Sequence, residues 1–225
     1  MPRRNAVLVL PALLVLVSAA RYAGGWAVIT VDDLPDQVTA GRPVTLSFTV
    51  RQHGLQLLDG LRPRLSARRG AIETSVDALG KGGGRYQATI TPSTAGDWTF
   101  AIRSGFGNSN TTLLPMPAVD AGSSTPILRL AERERGRRLF VAKGCLSCHV
   151  HGEVAGSGTV TVGPELTGKR YAADYLAKYL ADPSIVPPRA GMTWRMPNLN
   201  LKQAEVASLV AFVNGDRAVT LSSPR

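Results

Sequence analysis

The chain has 225 residues, enough for one large domain or two ordinary ones, and its formal net charge is +10. Hydrophobic residues make up 44% and charged residues 19%, which excludes the weakly hydrophobic, highly charged composition of disordered chains. The 23 glycines and 15 prolines follow no period and no heptad repeat runs through the sequence, which excludes collagen and coiled-coil architectures.

Residues 1–20 have the composition of an export signal. Two arginines precede an apolar run over residues 6–17, and the small residues 18–20 fit secretory cleavage after position 20. The apolar run is shorter than the roughly 20 residues that span a bilayer. An uncleaved anchor is the alternative, because further apolar residues follow between positions 23 and 31. Both interpretations place the rest of the chain in the periplasm or on the outer face of the cytoplasmic membrane.

Residues 25–119 show the period-two pattern of half-buried β-strands. Apolar and polar residues alternate over residues 44–50, and the alternation returns at 86–90 and 98–102. Turn signals rich in glycine and proline separate these segments. The pattern predicts an antiparallel β-sandwich of about seven short strands.

The pattern changes after a stretch rich in proline, glycine and serine, and residues 120–126 are predicted to form a linker. Apolar residues then recur at helical spacing. The first predicted helix begins after the linker and runs through Phe140, the second covers residues 171–180 and the third covers residues 206–213. Residues 127–217 are therefore predicted to form an all-α domain.

The chain has two cysteines, Cys145 and Cys148, which precede His149 in a Cys-x-x-Cys-His motif. This spacing is typical of covalent haem attachment, in which each thiol bonds one vinyl group and the histidine ligates iron. The alternatives are a redox dithiol, a zinc half-site and a plain disulfide. A zinc site needs about four ligands, and the chain adds only His53 and His151 without a further cysteine. A thioredoxin-like dithiol needs no trailing histidine and belongs to a βαβ unit, which the pattern does not predict.

The helical half resembles a class I cytochrome c domain from about Leu128 to Gly215. Gly136 and Phe140 match the glycine and the aromatic residue, four positions apart, that the family carries in its first helix. The resemblance implies that Gly136 lets the last helix cross at short distance while Phe140 fills the seam against Phe212. It also implies one covalently bound haem c.

Two further segments resemble the family's iron-ligand environment. Residues 163–168 look like its Gly-Pro-x-Leu-x-Gly loop, which implies that the Pro164 carbonyl accepts a hydrogen bond from His149 and orients the ring. The Met-Pro step at Met196, which lies 47 residues after His149, resembles the family's distal ligand. A thioether ligand is soft and raises the reduction potential. The resemblance thus implies Met196 as the distal ligand, with Met192 as the alternative.

Several other side chains of the helical half receive secondary predictions. His151 is expected to be exposed to solvent, because it is too close to His149 to face the iron; a proton-linked group near the haem is the alternative. Tyr171, Tyr175 and Tyr179 have the spacing of one buried helix face, which favours packing over contact with haem. Five residues are candidates for haem propionate contacts or for the pocket wall: Arg189, Trp194, Tyr171, Tyr175 and Tyr179.

Charge is divided unevenly between the halves. Residues 121–225 carry a net +6 and residues 21–120 a net +2. Basic side chains around the haem would form a ring that steers partners to it, and the predicted partners are membrane-bound or periplasmic redox proteins with acidic docking faces. An anionic membrane surface is a second candidate partner. Nucleic acid is not expected for an exported protein. Six basic residues lie in segments that border the haem in the resembled fold: Lys143, Lys169, Arg170, Lys178, Arg189 and Arg195.

The β-rich half resembles immunoglobulin-like domains of the FixH or YtkA type. The resemblance covers about Gly25 to Pro117 and rests on strand patterns and the Gly-Asp-Trp turn that ends at Trp98. Such domains are associated with respiratory and copper-handling systems, which implies a docking or spacing module. His53 and Met116 are two soft candidate copper ligands without a third, and a turn histidine and a linker methionine are the simpler interpretation.

The sequence therefore predicts an exported two-domain protein, in which an all-β immunoglobulin-like sandwich precedes an all-α monohaem cytochrome c. Its predicted role is to carry single electrons in a respiratory or photosynthetic chain rather than to act as an enzyme. Two alternatives stay open. One is a catalytic or gas-sensing haem protein with an open sixth iron position, and the other is a fixed subunit of a larger respiratory complex.

Overall fold

The computed structural model of the chain describes residues 25–122, 129–154, 162–187 and 195–215. All strands of these ranges lie in the first range and all α-helices lie in the others. The predicted order of an all-β part followed by an all-α part is therefore confirmed. The predictions for residues 1–20, Arg189, Met192 and Trp194 fall outside the described residues.

The β-rich part contains more strands than predicted. Six of its strands are five to nine residues long and the other five are shorter segments that pair with them. In chain order the strands are β1 (Ala27–Val31), β2 (Val38–Thr39), β3 (Val44–Gln52), β4 (Gln56–Leu57), β5 (Arg64–Arg69), β6 (Ile72–Asp77), β7 (Leu79–Gly82), β8 (Arg85–Ile90), β9 (Gly96–Arg103), β10 (Asn110–Thr112) and β11 (Met116–Val119).

The strands form two sheets. The first has the order β1-β3-β8-β7 with β4 also paired to β3, and the second has the order β2-β11-β9-β5-β6 with β10 also paired to β9. The described pairings are antiparallel except for the short parallel pair β2 and β11, which departs from the wholly antiparallel prediction. Apolar side chains from both sheets share one core, with Phe48, Trp98 and Phe100 fully buried in it.

The helical part contains α1 (Glu132–Ala142), α2 (Ala173–Ala181) and α3 (Gln203–Val213), with short 3₁₀ turns at Cys145–Ser147 and Pro183–Ile185. Helix α1 begins later than predicted, because Ala131 has extended backbone angles and the helix starts after it. Across the four described ranges, the structure has no helix with the length and apolar character needed to cross a membrane.

Helices α1 and α3 cross in close contact at Gly136. A Cβ at this position would overlap the carbonyl oxygen of Ser208 and lie 2.7 Å from Cβ of Phe212. The rings of Phe140 and Phe212 lie 5.4 Å apart, centroid to centroid, and fill the seam beside the crossing. The predicted roles of Gly136 and Phe140 in the helix crossing are therefore confirmed.

The sandwich contacts the helical part around the end of α1. Ala142 lies in the sandwich core, and Leu34 packs against the cores of both parts. Arg135 forms an ion pair with Asp36 at 3.7 Å. The two domains therefore share direct side-chain contacts besides the chain connection.

Candidate functional site

The Cys-x-x-Cys-His motif lies on a compact turn that directly follows α1. Gly144 ends the helix in the left-handed region with φ 78°, and residues 145–147 form a 3₁₀ turn. The amide of His149 donates to the carbonyl oxygen of Cys145 at 2.9 Å, so the two thiols and the imidazole share one turn. The structure contains no Cys145–Cys148 disulfide.

Burial keeps both thiols protonated near neutral pH. It raises the pKa of Cys145 to about 12, with a smaller contribution from the neighbouring Cys148, and raises the pKa of Cys148 to about 11. This direction of shift is opposite to that of the reactive, low-pKa thiolates of dithiol oxidoreductases. Addition to the two haem vinyl groups consumes two neighbouring protonated thiols.

The imidazole of His149 is oriented by the loop around Pro164. Its Nδ1 lies 2.9 Å from the carbonyl oxygen of Pro164, the contact that the resemblance implies. A carbonyl oxygen only accepts, so Nδ1 carries the proton and Nε2 keeps its lone pair for a metal. Burial lowers the pKa of His149, although the Pro164 hydrogen bond opposes this shift. The ring is thus held in its neutral form with one nitrogen available as a ligand.

Gly163 lies directly against this imidazole. A Cβ at Gly163 would overlap Cε1 of His149 and lie 2.6 Å from Nδ1. The loop is fixed by two backbone hydrogen bonds, from Gly163 to Cys148 at 2.9 Å and from Leu166 to Val150 at 2.8 Å. The sequence showed Gly163 only as part of a loop pattern, and the close approach to His149 explains why that position lacks a side chain.

Met196 lies half-buried in the segment that leads into α3. It packs against the hydrophobic core of the helical part, and Cys145 and Leu146 pack against the same core. The structure therefore brings the methionine and the cysteine turn to one apolar cluster. Two free thiols, a neutral imidazole with a free Nε2 and a soft thioether form a donor set that fits a bound haem.

His151 is buried, so the prediction of solvent exposure was wrong. Only 4% of the residue is exposed, and its ring lies 4.3 Å from Phe212 and 5.8 Å from Phe140. The amide of Glu153 donates to Nδ1 of His151 at 3.3 Å. Burial lowers the pKa of His151. The histidine completes an aromatic cluster at the helix crossing, which its distance from His149 in the sequence did not indicate.

The predicted buried face of tyrosines is also wrong. Tyr175 is 46% exposed and stacks on Tyr179 at 6.2 Å, whereas Leu176 and Leu180 form the buried face of α2. Tyr171 precedes the helix, and its backbone exchanges two hydrogen bonds with the amide group of Asn214. The leucines have the same spacing as the tyrosines and are more apolar, so they take the core positions.

Lys143 does not belong to a solvent-facing basic ring. Its side chain is 3% exposed and forms an ion pair with Glu205 at 2.8 Å. Of the other five predicted members, Arg189 is outside the described residues. The remaining four are exposed: Lys169, Arg170, Lys178 and Arg195.

The two candidate copper ligands have structural roles. Met116 lies in the sandwich core with 1% exposure, opposite Trp98 on β9, and not in a linker. His53 occupies the turn after β3, where its ring makes an edge contact with Trp26 at 5.6 Å. Within the described ranges, the structure contains no group of three or more histidine, cysteine, aspartate or glutamate side chains that could hold a metal ion.

Comparisons with solved structures find proteins of low similarity. The Lin-41 filamin domain has 15% identity and a TM-score of 0.32, and the match covers 43% of this chain and 93% of that one. The CARDB domain of the PF1109 protein from Pyrococcus furiosus has 14% identity and a TM-score of 0.28, and the match covers 42% and 94%. An engineered protein has 13% identity and a TM-score of 0.31. That match covers 42% of this chain but only 20% of the length of the engineered protein.

No curated protein matches the chain in sequence. The family model described as cytochrome c matches residues 133–215. This range begins in α1, includes the Cys-x-x-Cys-His turn and the Pro164 loop, and ends just after α3. Residues 133–215 are therefore a cytochrome c domain, which follows an all-β domain in this chain.

Proposed function

We propose that this protein is an exported monohaem c-type cytochrome that carries single electrons in a respiratory or photosynthetic chain. The observation that carries the proposal is the hydrogen bond from His149 to Pro164 within a Cys-x-x-Cys-His turn. It holds a neutral imidazole with one free nitrogen directly beside two free thiols, which is the arrangement that a covalently attached, histidine-ligated haem requires.

Each proposed site residue has a defined role. Cys145 and Cys148 would hold the haem by two thioether bonds, each thiol adding its S–H across one vinyl double bond. His149 would provide an imidazole nitrogen to the iron, with its ring fixed by Pro164, and Met196 would provide a thioether sulfur. When bound, haem supplies the one-electron couple. The chain contributes ligand choice, orientation and an apolar environment.

The proposed location is the periplasm or the outer face of the cytoplasmic membrane. Support comes from the composition of residues 1–20 and from the haem motif. The proposed partners are membrane-bound or periplasmic redox proteins with acidic docking faces, and an anionic membrane surface would hold the protein near them. Three exposed basic side chains of the cytochrome domain support this choice: Lys169, Lys178 and Arg195. The sandwich, of proposed FixH or YtkA type, contributes docking surface.

Expression together with a haem maturation system tests the proposal. The intact mass should rise by one haem under denaturing conditions, and Cys145→Ser together with Cys148→Ser should abolish this gain. A redox titration of the product should follow a reversible one-electron curve, and the reduced protein should not take up carbon monoxide. A chain that gains no haem would overturn the cytochrome assignment. Ready uptake of carbon monoxide would instead favour a catalytic or gas-sensing haem protein with an open sixth position.

A further inference from the structure

We propose that the sandwich is part of the haem site and that Lys143 is the positioning residue that connects the two domains. In this view the sandwich holds the turn that carries the haem attachment motif, and it thereby influences ligand geometry and reduction potential. The inference rests on the proposed function and goes beyond a docking role for the sandwich.

Lys143 joins three separate parts of the molecule. It lies between the last residue of α1 and Cys145. Its Nζ donates to the backbone carbonyl oxygen of Asp32 at 2.6 Å, just after β1 of the sandwich. The same Nζ forms an ion pair with Oε1 of Glu205 in α3 at 2.8 Å. Both side chains are buried, with exposures of 3% and 9%, so removing either partner would leave a buried charge without compensation.

The backbone before the motif also lies against β1. The Oγ1 of Thr30 donates to the carbonyl oxygen of Lys143 at 3.4 Å. A Cβ at Gly144 would lie 2.6 Å from the carbonyl oxygen of Ile29 and 2.6 Å from Cγ1 of Val28. Gly144 also has φ 78°, so both its conformation and the approach of β1 favour glycine. The two residues that precede Cys145 are thus in direct contact with the sandwich.

The same set of contacts reaches the segment that follows Met196. Glu205 uses its other oxygen, Oε2, to accept from the backbone amide of Lys202 at 2.9 Å, which caps the start of α3. The side chain of Lys202 forms an ion pair with Asp33, next to the carbonyl group that Lys143 contacts. The buried Lys143–Glu205 pair and the exposed Lys202–Asp33 pair together connect residues 32–33 of the sandwich to the turn before His149 and to the start of α3 after Met196.

A displacement of this edge should be transmitted to both proposed iron ligands, because buried charged contacts have few alternative arrangements. The inference thus predicts that the haem spectrum and the reduction potential depend on Lys143, although this residue is not itself a ligand. It also predicts that β1 and the haem turn open together in the holoprotein.

The first experiment compares Lys143→Met with Lys169→Met in the full-length holoprotein. Both variants remove one positive charge from the cytochrome domain, but Lys169 is exposed. At a fixed applied potential, Lys143→Met should change the ratio of reduced to oxidised protein at least tenfold. This corresponds to a shift of about 59 mV in the one-electron reduction potential. The substitution should also weaken the far-red sulfur-to-iron charge-transfer band that a ferric haem with a methionine ligand would show. Lys169→Met should change the ratio less than threefold and keep the band. Equal effects of the two variants would overturn the inference.

A double variant separates positioning from electrostatics. Lys143→Met together with Glu205→Gln removes both charges, so the net charge matches that of the wild type. If Lys143 acts through position, the double variant should keep the weakened far-red band and the altered ratio. Recovery of wild-type values would show that charge alone was responsible, and it would overturn the positioning role.

Hydrogen exchange provides a measurement that does not depend on the variants folding. In the wild-type holoprotein, amides of residues 27–31 and of residues 139–149 should become exchangeable with the same dependence on denaturant. Independent opening of β1 at lower denaturant, with an unchanged haem spectrum, would overturn the inference. Failure of the proposed function is distinguishable, because a chain without covalent haem would already fail in the mass measurement.

Discussion

The backbone of Gly163 lies directly against the imidazole of His149, so that a Cβ at this position would lie 2.6 Å from Nδ1 and would overlap Cε1. Gly163 therefore shapes the environment of the proposed proximal ligand by having no side chain. The neighbouring Pro164 carbonyl fixes the same ring by a hydrogen bond.

The substitution Gly163→Ala should displace the His149 ring and disturb its contact with Pro164. Introducing a methyl group into such a close contact costs about 1–3 kcal/mol. We expect the holoprotein to lose stability by this amount and its visible haem spectrum to change, as measured by denaturant titration and absorption. Glu165→Ala is the matched control, since Glu165 is exposed in the same loop. Identical behaviour of the two variants would contradict the role of Gly163.

Gly136→Ala should destabilise the cytochrome domain. In an exposed helix interior this change would stabilise by about 1 kcal/mol, because alanine is the better helix former. Here the added Cβ would overlap the carbonyl oxygen of Ser208, so α1 and α3 must separate. The expected effect is a loss of about 1–3 kcal/mol in the free energy of unfolding. A gain in stability in the denaturant titration would show that the helices do not cross at Gly136.

Phe212→Ala should be among the most destabilising single changes in the helical part. Phe212 is fully buried, and its ring contacts the rings of Phe140 and His151. Truncation of a buried phenylalanine costs about 3–5 kcal/mol. Tyr175→Ala, on the exposed side of α2, should cost less than about 0.5 kcal/mol. Similar losses for both variants in the denaturant titration would place the core elsewhere.

Glu134 should contribute stability that depends on pH. The hydrogen bond from Arg137 is the largest influence on Glu134 and lowers its pKa below the usual 4.5. Burial opposes this shift, and the hydrogen bond from Arg138 and the charges of both arginines lower the pKa further. Because the folded pKa is the lower one, the unfolded chain takes up the proton first as the pH falls. The stabilisation is therefore complete above about pH 4.5 and is lost as the pH falls through the folded pKa.

Glu134→Gln should accordingly cost about 0.2–1 kcal/mol at pH 7, the range for solvent-accessible ion pairs, and almost nothing at low pH. Denaturant titrations at several pH values measure this difference. Glu165→Gln makes the same substitution at an exposed glutamate in the loop after the haem motif, so it provides the control and should cost less than Glu134→Gln at pH 7. A loss for Glu134→Gln that is constant across this pH range would contradict the ionic origin of the effect.

Features that depend on local sequence pattern could be predicted. The alternation over residues 44–50 gives β3, and the spacing of apolar residues gives α3. The crossing at Gly136 was predicted from the resemblance to class I cytochrome c domains, whose first helix carries a glycine and an aromatic residue at this spacing.

Features that depend on contacts distant in sequence could not be predicted. Lys143 is buried because its partners, Asp32 and Glu205, come from the other domain and from the last helix. His151 is buried because the seam between Phe140 and Phe212 accepts a third ring. Local sequence around either residue indicates a solvent-exposed polar side chain, and only the fold supplies the buried partners.

The proposed electron-transfer function requires His149 and Met196 to ligate the iron of one haem. The most direct test is the ferric absorption spectrum of the holoprotein in its wild-type form and as Met196→Ala and Met192→Ala variants. We predict a far-red sulfur-to-iron charge-transfer band in the wild type that Met196→Ala abolishes and Met192→Ala retains. A wild-type protein that lacks this band and takes up carbon monoxide readily when reduced would overturn the assignment of Met196 as an iron ligand.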